Sequence, residues 1–381
     1  MSDKIILIGT GLTGMVQALA LAQSGFEVTL IGPEPSLQKD ERSTAILLPG
    51  IGFLKTLGIW QQIEPFSTAL TTMELIDGNK HSVFDAHEID QINFGYNISN
   101  AALKKTLVAA LKKSKAVTWH PQQAVAFNGT GQGWDVTLAN HKIISGDLLI
   151  GADGRHSPVR SAATIAIEEK NIDQVAMVGI VQAEKPHFNV TVEWYRQGGP
   201  LTLVPVDKNL FAFVWCDTAQ AHTQRQKMSP EKELSDLAQQ RFGALKIKNK
   251  TQFWPIKPFL SKKLVGENCV LIGEAAHALP PIGAQGFNAS LQDIMALTTI
   301  LEQGRAIGYR LNDAILLSGY EKIRMPELHL RAKAINALNT TLLSQSRLPH
   351  RLRRFSLNGL QYSAFLKKQI MQIGLAPIRS F

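Results

Sequence analysis

Three glycines near the start of the chain have the spacing of a phosphate-binding turn. Gly9, Gly11 and Gly14 form GxGxxG between an apolar run and an alanine- and leucine-rich stretch that is typical of a helix. A tight turn, a close approach of the backbone to pyrophosphate and close helix packing each require a missing side chain. The free N–H groups at the helix start, where Leu12 and Thr13 lie, would then favour phosphates. By itself the motif indicates only a dinucleotide.

The position that usually binds the adenosine ribose carries no acid in this chain. Such folds end the second strand with an acid, but Gly32 occupies that position and Glu34 comes two residues later. Either Glu34 substitutes for the missing acid or the backbone holds the ribose.

A second stretch that combines glycines with an acid, GADGRHSPVR, runs from Gly151 to Arg160 after an apolar strand. It resembles the DG motif of the FAD-dependent aromatic hydroxylases, a family of flavoprotein monooxygenases. In that family the aspartate, here Asp153, helps to hold the cofactor region. The arginine, here Arg160, supports the loop. A purely structural Asp-Gly turn is the alternative.

A third stretch, CVLIGEAAHALPPIGAQGFN from Cys269 to Asn288, resembles the second flavin-contacting motif of the same family. A buried strand delivers Gly273 and an acid, Glu274, and the chain is predicted to enter a helix at Asn288. The family has aspartate where this chain has Glu274. The resemblance implies that Glu274 accepts hydrogen bonds from the ribityl hydroxyls of the flavin.

The same resemblance implies how the chain meets the flavin ring. The backbone N–H groups of Gly286, Phe287 and Asn288 would face the flavin N1 and C2 carbonyl, where they would stabilise the negative charge of the reduced ring. Pro281 and Gly283 are candidates for positioning the flavin. No catalytic side chain is assigned.

Other residues between and within the motifs are compared with the family one at a time. Arg42 lies where the family sets an arginine near the cofactor, and Asn100 is a further cofactor-binding candidate. Ser99 and Asn100 precede Leu103, where many members have arginine. His277 is interpreted as a structural hydrogen-bonding residue and not as a catalytic base.

Taken together, the motifs predict an FAD-dependent monooxygenase. The family resemblance implies that NAD(P)H reduces FAD, that oxygen adds to form a flavin hydroperoxide, and that its distal oxygen attacks an electron-rich phenol ring. The segment DERSTA, the wording PPIGAQG and a helical C-terminal tail look most like the ubiquinone-biosynthesis hydroxylases. The expected substrate is therefore a polyprenylated phenol of ubiquinone biosynthesis.

Three alternatives stay open at this point. The chain could hydroxylate a soluble aromatic compound, or it could be a non-catalytic FAD-binding scaffold of a biosynthetic complex, which the glycine at position 32 mildly favours. It could also be a flavin-dependent reductase of prenyl chains. The chain has no second GxGxxG and no CxxC, which argues against reductases with a separate NAD(P)H domain and against disulfide oxidoreductases.

The elements around these motifs indicate an α/β fold with interleaved domains. A Rossmann-like FAD-binding domain is predicted from residues 1–71, 98–170 and 259–326, and an antiparallel β-sheet substrate domain from 72–97 and 171–258. Within the first, 116–150 is predicted to form a small β-meander, and within the second an amphipathic helix is predicted near 230–241. Residues 327–381 form a basic helical tail of two predicted helices.

The tail carries the whole excess of positive charge. Nine of the 40 lysines and arginines fall in residues 328–381, which contain no acid, so residues 1–327 balance 31 basic against 31 acidic residues. The tail is either a solvated helix pair or a surface attracted to an anionic membrane or an acidic partner. Nucleic acid is not favoured as a partner, because the tail shows no recognised binding motif.

The remaining sequence features predict a cytoplasmic protein, with a peripheral position at the inner membrane as the alternative. The N-terminus lacks the charged region and cleavage site of a signal peptide, and no apolar run reaches membrane-spanning length. Cys216 and Cys269 lie in strand-like apolar runs, so they are interpreted as buried thiols and not as a disulfide or metal pair. In the second tail helix, an apolar face is predicted on Phe355, Tyr362, Leu366, Ile370 and Ile373. Arg353, Arg354, Lys367 and Lys368 lie outside that face.

Overall fold

The computed structural model describes residues 4–37, 40–227, 230–344, 367–369 and 371–372. Its α-helices are α1 (Leu12–Gln23), α2 (Leu48–Thr56), α3 (Trp60–Ile63), α4 (Asn100–Lys113), α5 (Pro158–Ala162), α6 (Ala219–Lys227), α7 (Pro230–Phe242), α8 (Gln285–Ala306) and α9 (Ala314–Leu343). Short 3-10 turns lie at Glu64–Phe66, Ala86–Ile89 and Gly273–Ala275.

The described residues also form 23 strands. The first twelve are β1 (Ile5–Ile8), β2 (Val28–Ile31), β3 (Ser43–Leu47), β4 (Ser67–Leu70), β5 (Thr72–Asp77), β6 (Lys80–Asp85), β7 (Gly95–Ser99), β8 (Val117–His120), β9 (Ala124–Gly129), β10 (Trp134–Leu138), β11 (Ile143–Gly146) and β12 (Leu148–Gly151). The remainder are β13 (Ile167–Glu169), β14 (Val175–Ala183), β15 (Val190–Arg196), β16 (Gly199–Asp207), β17 (Leu210–Asp217), β18 (Leu245–Ile247), β19 (Gln252–Pro255), β20 (Phe259–Ser261), β21 (Val265–Gly266), β22 (Cys269–Leu271) and β23 (His277–Ala278).

A six-stranded sheet in the order β21-β22-β12-β1-β2-β8 carries the nucleotide-binding motifs. All neighbours pair in parallel except β21 and β22. The central strands β1 and β12 are buried along their whole length, as continuous apolar runs in parallel sheets should be. The predicted strand, glycine turn, helix and strand over residues 4–31 are confirmed by β1, α1 and β2.

The second large sheet has eight strands, in the order β18-β14-β17-β16-β15-β5-β6 with β19 beside β14. It is antiparallel except where β15 meets β5. Helix α7 covers one face, where its Leu234, Ala238 and Phe242 pack against Trp194 and Trp215. The predicted antiparallel strands and the helix near 230–241 are confirmed. The chain enters this sheet at β5 and β6, leaves it, and returns at β14.

Three small sheets complete the fold. Strands β9, β10 and β11 form the meander predicted within 116–150. That prediction was wrong at its ends, because β8 and β12 join the parallel sheet, where they pair with β2 and β1. Strands β3, β7 and β4 form a second small sheet, and β13, β20 and β23 form a third.

Helix α9 connects the two large sheets. It runs through Pro326 without ending, so the first tail helix continues an element that starts before residue 327. Near its end, Asn339 bonds Gln174 beside the eight-stranded sheet. Among the described residues, no helix is long and apolar enough to cross a membrane.

The described part of the tail beyond α9 lies against the eight-stranded sheet. Residues 367–369 and 371–372 are helical, and Met371 is buried beside Phe84 and Ile89. Lys367 pairs with Glu88, and Lys368 lies 3.8 Å from Asp90. The apolar face predicted on Phe355, Tyr362, Leu366, Ile370 and Ile373 falls outside the described residues.

Both cysteines are buried free thiols, Cys216 in β17 and Cys269 in β22. Burial raises the pKa of each thiol. They are therefore packing residues of two different strands, as the sequence predicts. The domain boundaries at 71, 97, 170, 258 and 326 stay predictions.

Candidate cofactor site

The glycine turn between β1 and α1 has two packed glycines and one open glycine. A Cβ on Gly9 would lie 2.3 Å from the Ala152 carbonyl oxygen, and one on Gly14 would lie 1.9 Å from the Gly9 oxygen. A Cβ on Gly11 would meet no atom within 4 Å. Gly11 is the N-cap of α1 and contributes no side-chain cap, so the first N–H groups of the helix, including those of Leu12 and Thr13, are free to bind an anion.

Beside this turn, the ends of β2 and β8 hold the candidates for the ribose contact. Gly32 donates its N–H to the His120 carbonyl at 3.1 Å, and its own carbonyl accepts from Trp119 Nε1 at 3.0 Å. Glu34 lies on the exposed loop that follows and pairs with Lys112. Gly32 borders the glycine turn, since a Cβ there would lie 2.8 Å from Thr10 Cγ2. The two routes to the ribose remain proposals.

The loop after β12 presents a carboxylate with an unused acceptor. Asp153 Oδ2 accepts the Val159 N–H at 3.0 Å, whereas Oδ1 is buried and has no hydrogen-bond partner within the described chain. Burial raises the pKa of Asp153, against the opposing effects of Ser157, the local N–H groups and Arg160. A buried acceptor without a donor is costly in a folded protein, and a ligand hydroxyl would satisfy it.

Arg160 ties the Asp153 loop to the acidic turn after β22. Its guanidinium donates to the Ala275 carbonyl at 2.8 Å and to the Arg155 carbonyl at 2.8 Å. This acidic turn also contacts the glycine turn between β1 and α1, because a Cβ on Gly273 would lie 2.8 Å from Thr13 Cγ2. The three sequence motifs therefore converge on one place.

Glu274 projects from this turn as an exposed side chain and faces Arg42. Asp40 raises the pKa of Arg42 through a two-point pair with Nε and Nη2 at 2.7 and 2.9 Å, and Glu274 adds to that effect. Lys104 Nζ also donates to Asp40 Oδ2, at 2.6 Å. Both cations lower the pKa of Asp40 against the effect of its burial.

Asn100 lies next to Arg42 but is turned into the protein. Its N–H donates to the Arg42 carbonyl at 3.0 Å, and its side-chain oxygen accepts from Thr44 at 2.6 Å. Leu103, where many family members have arginine, is fully buried in the core of the parallel sheet. Asn100 therefore positions the Arg42 backbone, and a direct contact with the cofactor stays a prediction.

Helix α8 begins three residues earlier than the sequence predicts, at Gln285 and not at Asn288. Ala284 caps it in a left-handed conformation with φ 56°. The N–H groups of Gly286 and Phe287 precede the first intrahelical bond and are free, whereas the N–H of Asn288 belongs to the helix pattern. A Cβ on Gly286 would meet no atom within 4 Å, so the helix start is open to a ligand.

Asn288 instead fixes the helix against the rest of the site. Its side-chain oxygen accepts the Leu47 N–H at 2.9 Å, and its amide donates to the Ala45 and Ala284 carbonyls, each at 2.8 Å. The preceding loop carries Pro281, which is exposed, and Gly283 with φ 64°.

A buried charge network supports the acidic turn from behind. Asp293 Oδ2 accepts from His277 Nε2 at 2.6 Å and from the Gly273 N–H at 2.9 Å, and Oδ1 accepts from Arg324 Nε at 2.8 Å. All three side chains are at most 2% exposed. His277 is therefore buried and hydrogen-bonded to Asp293, which agrees with its interpretation as a structural residue and not a catalytic base. Sequence reasoning missed Asp293 and Arg324, whose only signal is a lone charge within an otherwise apolar helix face.

The arrangement fits an adenine dinucleotide that carries a flavin. The open Gly11 and α1 start would bind pyrophosphate, the unused Asp153 Oδ1 and the exposed Glu274 would accept from hydroxyls, and the α8 start would face the ring. The assignments of Leu12, Thr13, Glu34, Arg42, Asn100 and the other individual contacts are proposals.

The comparisons with known proteins agree with FAD as the cofactor. The chain belongs to the FAD-binding domain family, whose model matches residues 3–326. It is 28% identical to the ubiquinone hydroxylase UbiL of Rhodospirillum rubrum over 397 residues, with 99% of this chain and 91% of that protein covered. It is also 28% identical to the 3-demethoxyubiquinol 3-hydroxylase of Escherichia coli over 386 residues, with 98% of each covered.

Among solved structures, the p-nitrophenol 4-monooxygenase PnpA of Pseudomonas putida DLL-E4 superposes with a TM-score of 0.83 at 14% identity. The superposition covers 100% of both chains. At that identity the likeness shows the fold, including the second sheet and α9.

Proposed function

We propose that this protein is an FAD-dependent monooxygenase that hydroxylates the aromatic ring of a polyprenylated phenol in ubiquinone biosynthesis, with NAD(P)H as the electron donor. The observation that carries the proposal is the similarity to a 3-demethoxyubiquinol 3-hydroxylase over 98% of both chains. That span includes the eight-stranded sheet as well as the cofactor motifs, so the likeness extends to the part of the chain that would bind substrate.

The cofactor and the protein have separate roles in the proposed reaction. FAD, when bound, supplies the transfer of electrons to oxygen and of one oxygen atom to the ring. The chain must hold the ring in place and exclude water. An apolar cluster between the sheet and α9 suits that task, since Tyr195, Ile282, Ile335 and Leu342 are buried together there.

The substrate class also gives the basic tail a role. A polyprenylated phenol resides in the bilayer, so we infer that the enzyme contacts the membrane surface peripherally and that the tail supplies the attraction. Each basic residue near an anionic surface contributes about 1 kcal/mol.

The test of the reaction is the lipid content of the source organism after deletion of the gene, with oxygen supplied. We expect mass spectrometry to show a quinone precursor that lacks one ring oxygen, and re-expression of the protein to remove it. The mass identifies the missing ring oxygen. An unchanged quinone pool would contradict the proposal and favour a soluble aromatic substrate, or a scaffold if the purified protein oxidises no NAD(P)H.

A further inference from the structure

A buried carboxylate lies on the sheet face that is turned toward the cofactor domain. In β15, Val192 and Trp194 point into the core beneath α7, so the alternation of the strand places Thr191, Glu193 and Tyr195 on the opposite face. Tyr195 packs there against Ile282 of the loop that leads to α8. Glu193 is only 1% exposed.

Glu193 has few partners for a buried acid. Its Oε2 accepts from the hydroxyl of Thr202, directly across the strand pair, at 3.2 Å. Its Oε1 is buried and has no hydrogen bond of normal geometry to the described residues, while Tyr195 and the Gly283 N–H lie close enough to favour the carboxylate. The neighbouring Thr191 hydroxyl is likewise buried without a partner there. Two buried polar side chains that are not fully hydrogen-bonded therefore lie on this face, two residues apart in β15.

Burial raises the pKa of Glu193 to about 7, although Thr202, Tyr195 and the Gly283 N–H favour the charged form. The influence of Gly283 places the carboxyl against the loop that precedes α8. The groups that face it are Tyr195 on β15, Thr202 on β16, Cys216 on β17, Leu75 on β5 and Gly283 on the loop. Tyr195 and Cys216 are the titratable ones.

Packing alone does not account for this acid. Glu74, another buried acid of the same sheet, lies on the other face and is paired with both His81 and Arg241. Glu193 forms no ion pair with the described residues. A buried carboxyl without a cation lowers stability. A buried acid with a shifted pKa beside a cofactor site is the usual setting of a proton-transfer group.

We propose that Glu193 accepts the hydroxyl proton of the aromatic substrate during hydroxylation. The phenol O–H bond breaks, a carboxyl O–H bond forms on Glu193, and the ring is left as a phenolate. The added electron density on the ring favours attack by an electrophilic oxygen. The inference rests on the proposed function, and it identifies a residue that no sequence motif marks.

The test compares three variants on the phenolic lipid that accumulates in the deletion strain. Glu193→Gln keeps the size and the Thr202 hydrogen bond but cannot take a proton, so we expect hydroxylation to fall by about 100-fold, in the range that general bases contribute. Thr202→Val removes a bond that favours the carboxylate, so the midpoint of the pH–rate profile should move to higher pH. Glu74→Gln is the matched control and should keep the wild-type profile.

A second readout does not need activity. Because the folded pKa of Glu193 is raised above the unfolded value of 4.5, the native state holds its proton longer than the unfolded state. The wild type should therefore lose stability relative to Glu193→Gln as the pH rises from about 4.5 to about 7. Urea unfolding at several pH values measures this difference.

The outcomes separate the two proposals. If FAD-loaded wild type hydroxylates the lipid but Glu193→Gln does so at a similar rate with the same pH profile, Glu193 is not the proton acceptor. A pH-independent stability difference would also overturn its role. If the FAD-loaded wild type itself leaves the lipid unchanged, the proposed function fails and this inference fails with it.

Discussion

Two glycines three residues apart in the same turn have opposite surroundings. Gly14 has no room for a side chain, since a Cβ would lie 1.9 Å from the Gly9 oxygen. Gly11 has open space around it and a φ of −69° that alanine also adopts. Gly14 is therefore required by the fold, whereas Gly11 is required only by the ligand that binds there.

This contrast predicts different effects of one added methyl group. Gly14→Ala should destabilise the cofactor-free protein by about 1–3 kcal/mol through overpacking. Gly11→Ala should leave its stability unchanged or raise it by about 0.4–1 kcal/mol, yet weaken FAD binding. Thermal unfolding of the cofactor-free protein and fluorescence titration with FAD measure the two effects. Equal loss of stability in both variants, or full FAD affinity in Gly11→Ala, would contradict this assignment.

At the level of single residues, the sequence predicted those residues that belong to motifs with a regular spacing. GxGxxG and the acids Asp153 and Glu274 stand at the ends of strands, and the structure brings all three stretches together. Glu193 could not be found in this way, because in VTVEWY it reads as an ordinary polar position of an alternating strand. Only its burial and its missing partners set it apart.

Among the elements, Asp293 on α8 forms hydrogen bonds to three other parts of the chain. It binds the end of β22 through Gly273, the short strand β23 through His277 and helix α9 through Arg324. His277 and Arg324 lower the pKa of Asp293 against the effect of its complete burial. The acidic turn of the cofactor site is thus held by the Asp293 carboxylate from one side and by Arg160, through the Ala275 carbonyl, from another.

Asp293→Asn should destabilise the protein by about 3–5 kcal/mol, because the buried Arg324 loses its charged partner. Since the folded pKa of Asp293 is lowered, its contribution is present above the unfolded pKa near 4 and is lost as the pH falls below it. The difference in the free energy of unfolding between the variant and the wild type should therefore become smaller in acid. Denaturant midpoints at pH 7 and at a pH well below 4 measure this difference.

Glu327→Gln is the control for that measurement. Glu327 also pairs with Arg324, but its side chain is 32% exposed, so its loss should cost less than about 1 kcal/mol after solvent screening. A similar cost for both variants would show that Asp293 is not the central partner.

The elements themselves were predicted well where hydrophobic periodicity was long and less well at their ends. The sequence predicts that α8 begins at Asn288, three residues after its first residue in the structure. In the structure Ala284 takes the left-handed conformation instead, and Asn288 uses its side chain to bond β3. That bond joins residues far apart in the chain, so no local pattern could reveal it.

For the whole molecule, the distribution of charge is the main feature that bears on location. The tail holds the entire positive excess, but Lys367 and Lys368 are already placed beside Glu88 and Asp90. Deleting the tail would uncover Phe84 and Ile89, which Met371 helps to bury. A variant that loses the charges but keeps the tail is therefore the better test of the role of the tail.

Replacing Arg347, Arg351, Arg353 and Arg354 by glutamine should weaken binding to anionic vesicles by up to roughly 4 kcal/mol, or about 1 kcal/mol per residue. Co-sedimentation with vesicles that contain phosphatidylglycerol, at low salt, measures the effect. The control replaces four exposed lysines elsewhere, Lys232, Lys246, Lys248 and Lys250. If the tail variant still co-sediments like the wild type, the tail is not the membrane contact.

The interleaving of the two large sheets also governs how the protein can be made. Strand β22 pairs with β12, but most of the eight-stranded sheet is encoded between them. The parallel sheet thus closes through contacts between residues far apart in sequence, which slows folding. On the ribosome, the acidic turn and the α8 start are synthesised after most strands of both sheets, so the complete cofactor site can assemble only late in synthesis. Until then the nascent chain exposes an unpaired edge of β12, which makes this interval the one in which a chaperone matters most.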